Sequence, residues 1–521
     1  MFKGCCISIS NLHDLPVAIL NRNHQQNEPT ARVKARLKTK NGMEQQQTKK
    51  TSLVLISGIA ALGGFLFGFD SGVINGTVDA LQEAFDSDAA VTGFNVASVL
   101  LGAMIGAFSA GTAADKFGRK PVMIVTALGF TLSAWGSGIS DGSVEFVIYR
   151  IIGGISMGAA SILAPAYISE VAPPKIRGSL ATLQQLMIVI GLFMAFMSNY
   201  WLAGMSGGAS EVFWGGFQTW QWMFWAEIIP AGIFLISLLV IPESPRYLVA
   251  AGRSEEAQKV LEGLAPEEDA AAKVEDIRST LREGTKPRLK DVISSYTGKV
   301  HPLVWAGLGL AVLQQFTGIN VIFYYGATLW QAAGFTEADA LLQNVITGSV
   351  NIFFTFVAIA LVDRLGRKPL LLVGSVGQAV MLGIMAYIFS TAATSGTDDL
   401  QLTSSQGTYA LLAANGYIAF FAFSWGPVMW VMLGEMFPNQ YRGAALALCG
   451  MAQWGANFLI TISFPILLSA IGLGLSNGIY AFFGVVAYFF VKYFIKETKG
   501  RTLEDMSREE YDLEKGAQMN G

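Results

Sequence analysis

Long apolar stretches separated by short polar connectors follow one another along almost the whole chain. About twelve of these stretches reach the roughly 20 residues that a helix needs to cross a bilayer. The predicted spans are 53–76, 93–114, 121–140, 146–169, 180–202, 222–242, 302–331, 341–362, 369–391, 408–434, 444–470 and 475–495. The pattern predicts an all-α membrane protein of about twelve transmembrane helices, six before residue 243 and six after residue 301.

The charged connectors of the first half recur in the second. Residues 115–121 read DKFGRKP and residues 363–369 read DRLGRKP, and each tract lies between two apolar stretches. A second pair of tracts, 170–178 and 435–443, begins with a glutamate and ends with Arg-Gly. Repeats of this kind indicate two pseudo-symmetric six-helix halves, the architecture of transporters whose halves rock around a central site.

Composition agrees with a membrane protein, since 52% of the 521 residues are hydrophobic and 14% are charged. A soluble protein carries about 25% charged residues. The net charge of −3 gives no indication of nucleic-acid binding. One set of connectors holds acidic residues but no Lys or Arg: 76–92, 140–145, 203–221, 332–340 and 392–407. We call the side on which they lie the acidic face, and the opposite side, which holds the Lys-rich and Arg-rich connectors, the basic face.

The positive-inside rule gives the orientation. It predicts that both termini and the loop 243–300 are cytoplasmic in a protein of the plasma membrane. The predicted domains are a disordered polar tail 1–50, an N-terminal half 51–242, a cytoplasmic helical linker 243–300, a C-terminal half 301–495 and a cytoplasmic tail 496–521. Within the linker, 253–263 and 270–282 have the spacing of apolar positions that is typical of amphipathic helices.

A carboxylate, Asp70, lies deep in the first predicted span, where an ionised side chain costs about 3 kcal/mol unless it is paired. Arg150, at the same depth of the fourth span, is the expected partner. An aspartate can titrate and an arginine cannot, so protonation of Asp70 would release Arg150 and change the helix packing. A static salt bridge is the alternative. Glu227, near the middle of the sixth span, is a further candidate for proton coupling or for a local pair.

Amide side chains also fall inside the spans, where each needs a hydrogen-bonding partner. They are Gln185, Gln314, Gln315, Asn320, Asn351 and Gln453. Aromatic residues that could stack on a sugar ring lie near the polar groups in sequence: Phe67, Tyr324, Trp430 and Trp454. A single amide is explained equally well by an interhelical hydrogen bond, but the whole set favours a site for a polyhydroxylated ligand. Helix breakers around Gly318 and Pro427 mark the expected binding region.

Acid–arginine pairs recur on the basic face of both halves. They are Asp115 with Arg119, Glu170 with Arg177, Glu243 with Arg246, Asp363 with Arg367, and Glu435 with Arg442. Salt bridges across the two halves would hold this side shut and break when it opens, which predicts a cytoplasmic gate. A solvated surface role is the alternative, and the repetition in both halves argues against it.

Four tracts carry a specific resemblance: Gly118-Arg-Lys, Pro242-Glu-Ser-Pro-Arg246, Gln314-Gln-Phe-Thr-Gly-Ile-Asn320, and Gly426-Pro427 followed by Trp430. From about residue 53 to 505 the chain resembles the sugar porter family of the major facilitator superfamily, which includes bacterial proton–xylose symporters and facilitative glucose transporters. The resemblance implies that Asp70 carries a proton with Arg150 as its partner. It also implies sugar contacts for Gln185, Gln314, Gln315, Asn320, Asn351, Trp430, Gln453 and Trp454. Leu192 stands where the xylose symporters have a sugar-contacting glutamine, as in the glucose facilitators, which disfavours xylose.

Together these features predict a secondary active transporter that imports a monosaccharide by proton symport. A hexose such as glucose is the first candidate, followed by galactose and xylose. The alternatives are a facilitative sugar uniporter and a proton-coupled polyol or inositol transporter. A sugar sensor would need a longer cytoplasmic tail, and a membrane enzyme would need a catalytic constellation that we do not find. We expect no cofactor, no metal site and no nucleic-acid partner, a proton as the coupling ion, and a monomer as the functional unit.

Overall fold

The computed structural model describes residues 53–172, 177–264, 269–283, 289–293, 298–394, 400–438 and 440–500. The predicted tail 1–50 and the residues after 500 lie outside this part of the chain. Counts of helices and of contacts refer to the residues that the structure describes.

The N-terminal half is a succession of helices. They are α1 Leu53–Gly76, which ends in a 3-10 turn, α2 Val78–Ala84, α3 Ala89–Phe117, α4 Arg119–Ile139, α5 Ser143–Val171, α6 Arg177–Ser206, α7 Thr219–Trp225 and α8 Ile228–Val240. The short helix α2 runs along the acidic face, and α7 with α8 forms one membrane span. This succession agrees with the six spans expected before residue 243.

Three short helices follow in the predicted linker: α9 Pro245–Ala250, α10 Ser254–Leu264 and α11 Ala270–Glu283. The last two match the amphipathic helices expected at 253–263 and 270–282. Their apolar sides meet α9 in a small separate core that contains Leu248, Val249, Ala257 and Val274. A 3-10 turn, Leu289–Val292, leads to the second half.

The second half contains α12 Pro302–Phe316, α13 Ile319–Ala332, α14 Glu337–Leu365, α15 Arg367–Thr391, α16 Ser404–Ala422, α17 Trp425–Met436 and α18 Arg442–Phe494. A two-residue antiparallel ribbon, β1 Ala393–Thr394 with β2 Leu400–Gln401, lies in the connector before α16. Two spans are interrupted, because α12 with α13 and α16 with α17 each form one crossing.

Eleven helices are long and apolar enough to span a membrane. The last of them, α18, has 53 residues. At 1.5 Å per residue it is about 80 Å long, more than twice the thickness of a hydrocarbon core of about 30 Å. Its backbone turns at Gly472, which has φ 73° and ψ 174°. Helix α18 therefore provides two crossings, and the prediction of about twelve spans is confirmed.

Glycines bring α3 and α5 into backbone contact. A Cβ atom at Gly102 or Gly106 would overlap with a backbone carbonyl of α5, and one at Gly154 or Gly158 would overlap with a carbonyl of α3. Small residues allow this close approach in membranes, where packing rather than the hydrophobic effect holds helices together. The pair fixes the position of Arg150, which lies one turn before Gly154 on α5.

Replacing Gly154 by alanine is expected to destabilise the protein by about 3 kcal/mol, because the new methyl group would overlap with the carbonyl oxygen of Val99 and force α3 and α5 apart. The melting temperature of the purified protein in detergent measures the effect. Gly111→Ala is the matched control, since its Cβ would meet nothing within 4 Å. Equal melting temperatures for the two variants would contradict this account of the packing.

Candidate functional site

The two interrupted spans lie where the sequence predicts helix breakers. Between α12 and α13, Gly318 adopts φ 83° and ψ 18°, a left-handed conformation that glycine tolerates. Between α16 and α17, Ser424 has φ −128° and ψ −92°. Such breaks release backbone carbonyls from their helical bonds. One of them, the carbonyl of Trp425, accepts a hydrogen bond of 2.9 Å from Gln314 Nε2, so the two breaks lie side by side.

A chain of amides connects these breaks. Asn320 Nδ2 donates to Gln315 Oε1 at 2.5 Å, and Gln315 Nε2 donates to Gln314 Oε1 at 3.0 Å. Gln453 Nε2, on α18, lies 3.5 Å from the same Gln314 oxygen. Gln314, Gln315 and Gln453 are all buried. The structure therefore brings four of the predicted sugar-contacting amides into one hydrogen-bonded group.

The predicted aromatic residues Phe67, Trp454 and Tyr324 come from both halves. Phe67 of α1 and Trp454 of α18 lie with their ring centroids 5.6 Å apart. Tyr324 of α13 is buried, and Asn457 Nδ2 lies 3.4 Å from its hydroxyl. Asn457 is a buried polar residue that the sequence analysis did not select. Its spacing of four residues from Gln453 places both on one side of α18, and that is the signal that could have identified it.

Among the described residues, no hydrogen bond joins three further predicted side chains to the amide group. Gln185 on α6 is partly buried, and Asn351 on α14 is 5% exposed. Trp430 on α17 is 41% exposed. The Trp430 indole is thus accessible in this conformation.

Asp70 and Arg150 form the predicted buried pair. Arg150 Nη1 donates to Asp70 Oδ1 at 2.6 Å, and both side chains are 1% exposed. The guanidinium also lies over the ring of Phe224, 5.7 Å from its centroid. This contact between a cation and an aromatic face compensates part of the desolvation of the arginine.

Glu227 completes a buried triad with this pair. It is fully buried at the junction of α7 and α8 and interacts electrostatically with both Asp70 and Arg150. One guanidinium balances one carboxylate, so two acids with one base are electrically neutral only when they hold one proton. The three groups thus combine two acids with one base in a buried site, where a net charge is costly. Tyr324, whose hydroxyl lies near Asn457, also interacts electrostatically with Asp70 and Arg150.

The halves are joined on the acidic face through Asn75, at the end of α1. Its Nδ2 donates to the carbonyls of Ile322 and Phe323 at 3.2 and 2.9 Å. Its Oδ1 accepts from the backbone N–H of Ala327 at 3.0 Å and from Asn344 Nδ2 at 2.6 Å. Helix α13 is distorted there, since Tyr325 has φ −121° and ψ 17°. Asn75 was not selected from the sequence, although it lies five residues after Asp70 in the same span.

On the basic face, four predicted residues of the N-terminal half, Asp115, Arg119, Glu170 and Glu243, form one cluster. Arg119 Nη2 lies 3.1 Å from Asp115 and 3.0 Å from Glu170. Glu170 accepts a hydrogen bond of 2.5 Å from Ser244 Oγ. Glu243 accepts from the backbone N–H of Arg119 at 3.0 Å and so satisfies a free N–H at the start of α4.

The C-terminal half repeats this cluster. Arg367 lies 3.0 Å from Asp363 and 2.8 Å from Glu435. Glu497 accepts from the backbone N–H groups of Arg367 and Lys368 at 3.0 Å each, as Glu243 does at the start of α4. Partial burial raises the pKa of the Glu497 carboxyl, but backbone hydrogen bonds outweigh this and hold the pKa below its usual range.

The ion pairs of these two clusters lie within the halves and not between them. Arg246 is exposed and Arg442 partly exposed, and among the described residues no ion pair joins either of them to these clusters. The side chain of Arg177 lies outside the described residues. The predicted gate is thus present as two internal clusters, and its role in holding the halves together stays a prediction.

Comparison with known proteins identifies the family. Residues 56–509 match the family model for sugar (and other) transporters. The chain is 50% identical to the glucose transport protein of Synechocystis sp. over 455 residues, which cover 87% of this chain and 97% of the relative. It is 38% identical to the D-xylose-proton symporter of Escherichia coli over 492 residues, with 88% and 96% covered.

A solved structure agrees with these relatives. The inward open conformation of the xylose transporter XylE from E. coli superposes with a TM-score of 0.74 at 37% sequence identity, covering 88% of this chain and 99% of XylE. Fold, spans and sequence all agree with the same group of membrane transporters. This protein belongs to the sugar transporter family.

Proposed function

We propose that this protein imports a monosaccharide together with a proton, by alternating access between its two halves. The sugar binds at the amide group formed by Gln314, Gln315, Asn320 and Gln453. Sugar hydroxyls both donate and accept hydrogen bonds, as amides do, so a sugar can replace the bonds that the amides make with one another. The Phe67 and Trp454 rings provide apolar surfaces for the C–H faces of the sugar.

The observation that carries proton coupling is the buried triad of Asp70, Arg150 and Glu227. A proton that binds to Asp70 weakens the 2.6 Å bond to Arg150 and frees the guanidinium for other partners. Tyr324 interacts electrostatically with the triad, and its hydroxyl lies 3.4 Å from Asn457 Nδ2, one helical turn after Gln453 on α18, which supports a route from the triad toward the sugar site. The E. coli relative is named a D-xylose-proton symporter, which supports the same coupling here.

The conformation described supports an inward-facing state. The acidic face is held together by bonds between the halves at Asn75, whereas the ion pairs of the basic face stay within each half. We assign the basic face to the cytoplasm, in agreement with the positive-inside rule, and place the protein in the plasma membrane. We further propose that the functional unit is a monomer.

Among sugars, we favour glucose. The Synechocystis relative at 50% identity is named a glucose transport protein. Leu192 on α6 is 5% exposed and adds an apolar surface to the N-terminal half. A polar side chain in place of Leu192 would bind one more hydroxyl of the sugar. Discrimination between sugars that differ by one hydroxyl depends on a few such side chains.

Uptake of labelled D-glucose into proteoliposomes tests the proposal. An inward proton gradient is expected to drive accumulation above the outside concentration, with up to about tenfold for each pH unit if one proton moves per sugar. Unlabelled xylose, galactose and inositol serve as competitors and rank the substrates. Equilibration that ignores the gradient would make the protein a uniporter, the second candidate, with Asp70 and Arg150 as a static pair.

A further inference from the structure

A second carboxylate, Asp79, links the halves at the acidic face. It lies on α2, outside the membrane spans. Its Oδ1 accepts a hydrogen bond of 2.8 Å from Thr328 Oγ1, and its Oδ2 accepts one of 2.7 Å from Gln331 Nε2. Both donors belong to α13 of the other half. Both hydrogen bonds must break when the acidic face opens.

The surroundings of Asp79 are acidic. It borders a cavity of about 190 Å³ whose other ionisable lining residues are Glu83 on α2 and Glu337 at the start of α14. Glu83 accepts a hydrogen bond from Ser210 Oγ at 2.7 Å, and Glu337 accepts one from the backbone N–H of Ala209 at 2.8 Å. Among the described residues that line this cavity there is no Lys, Arg or His. Three carboxylates therefore face one another without a compensating positive charge.

We propose that Asp79 is a second proton-binding group, separate from the triad at Asp70, and that its protonation favours closure of the acidic face. The inference rests on the proposed function in so far as this face opens and closes during transport. A protonated Asp79 keeps a carbonyl oxygen that accepts from one donor, and its hydroxyl can donate to the side-chain oxygen of Thr328 or Gln331. Contact with the other half is thus retained while one of the three facing charges is removed.

The direction of the pH effect follows from a comparison of Asp79 when the acidic face is closed and when it is open. Burial raises the pKa of Asp79 above the usual range of an aspartate; the hydrogen bond from Thr328 opposes this, and the charge of Glu337 adds to it. When the halves separate, Asp79 loses its partners and gains water, and its pKa returns toward the usual range. A group with the higher pKa in the closed state stabilises that state below its pKa. This stabilisation is lost as the pH rises through the pKa of the closed state.

The distance between spin labels on the acidic face measures closure without any transport. Val144→Cys in the N-terminal half and Ser405→Cys in the C-terminal half are exposed attachment sites. Cys5→Ser and Cys6→Ser prevent labelling elsewhere, because Cys449 is buried. Pulsed electron paramagnetic resonance in lipid nanodiscs at pH 5 and pH 8 then gives the ratio of closed to open molecules.

All samples carry Asp70→Asn, so that Asp70 contributes no pH dependence. With Asp79 intact, we expect the closed-to-open ratio to rise on acidification, by up to about tenfold for each pH unit between the two pKa values. Asp79→Asn, which imitates the protonated acid, is expected to show a high closed fraction at both pH values. Glu83→Gln is the matched control, since its bond to Ser210 stays within one half and Asp79 is intact, and its closed-to-open ratio should still rise on acidification.

A second variant keeps the proposal testable if the Asp79→Asn protein does not fold. Gln331→Leu removes one donor from the opposite half and leaves the acid in place, so the closed fraction at pH 8 should fall. A pH response that persists in Asp79→Asn, or no response with Asp79 intact, would overturn the proposal. Absence of proton-driven uptake would instead overturn the proposed symport and leave the distance measurement unaffected.

Discussion

Asp70→Asn is expected to abolish accumulation of sugar against a gradient while exchange of labelled for unlabelled sugar survives. The substitution keeps the shape of the side chain but removes its charge and its ability to release a proton. Arg150 then faces the same neutral side chain at position 70 at every stage, so the proton gradient can no longer act through this residue. The ratio of inside to outside sugar should fall to one, against about tenfold per pH unit for the parent protein.

The measurement is proton-driven uptake and counterflow in the same proteoliposomes. Asp141→Asn provides the control, because Asp141 is exposed on the acidic face and the same chemical change there should leave accumulation intact. Accumulation that survives in Asp70→Asn would remove Asp70 from the coupling mechanism. It would leave Glu227 as the acid of the triad to be tested by Glu227→Gln.

Gln314→Leu is expected to raise the Michaelis constant for sugar by about ten- to a hundredfold. Gln314 lies at the centre of the amide group, where it donates to the Trp425 carbonyl and accepts from Gln315. Leucine has a similar size but leaves buried polar partners and a sugar hydroxyl without hydrogen bonds, at about 1–3 kcal/mol each. Initial rates of glucose uptake against sugar concentration measure the effect.

Gln378→Leu is the matched control for this variant. Gln378 on α15 is also fully buried, but its amide has no hydrogen-bond partner among the described residues and lies outside the amide group. Exchange for leucine there should leave the Michaelis constant unchanged and should not lower the melting temperature. A similar loss in both variants would mean that any buried amide matters for packing, and that Gln314 has no special contact with sugar.

Much of the fold could be predicted because the bilayer imposes simple rules on a sequence. Spans follow from runs of apolar residues, and the break at Gly318 follows from a glycine among polar residues inside such a run. Pairing of Asp70 with Arg150 was accessible for a similar reason, since two opposite charges at one depth have few other partners. In the structure Arg150 Nη1 lies 2.6 Å from Asp70 Oδ1, and the role of this pair in proton coupling stays a prediction.

Contacts between distant parts of the chain could not be predicted in this way. Nothing in the sequence near Asn75 indicates that it binds carbonyls of Ile322 and Phe323, about 250 positions later. The hydrogen bond that Glu497 accepts from the backbone N–H of Arg367, at the start of α15, could not be predicted either. The pattern of charges shows which face an acid lies on, but the partner that it meets depends on the conformational state. For that reason the clusters around Arg119 and Arg367 were expected between the halves and lie within them in this conformation.

The side chain of Asn75 has a consequence for the speed of the transport cycle. At the distortion of α13 it makes hydrogen bonds to two backbone carbonyls and one backbone N–H group, which would otherwise need water. Once the acidic face opens, this side chain withdraws and water molecules must enter to serve the same groups. Opening of this face therefore requires water to enter, and its barrier depends on how readily water reaches the backbone groups that Asn75 leaves.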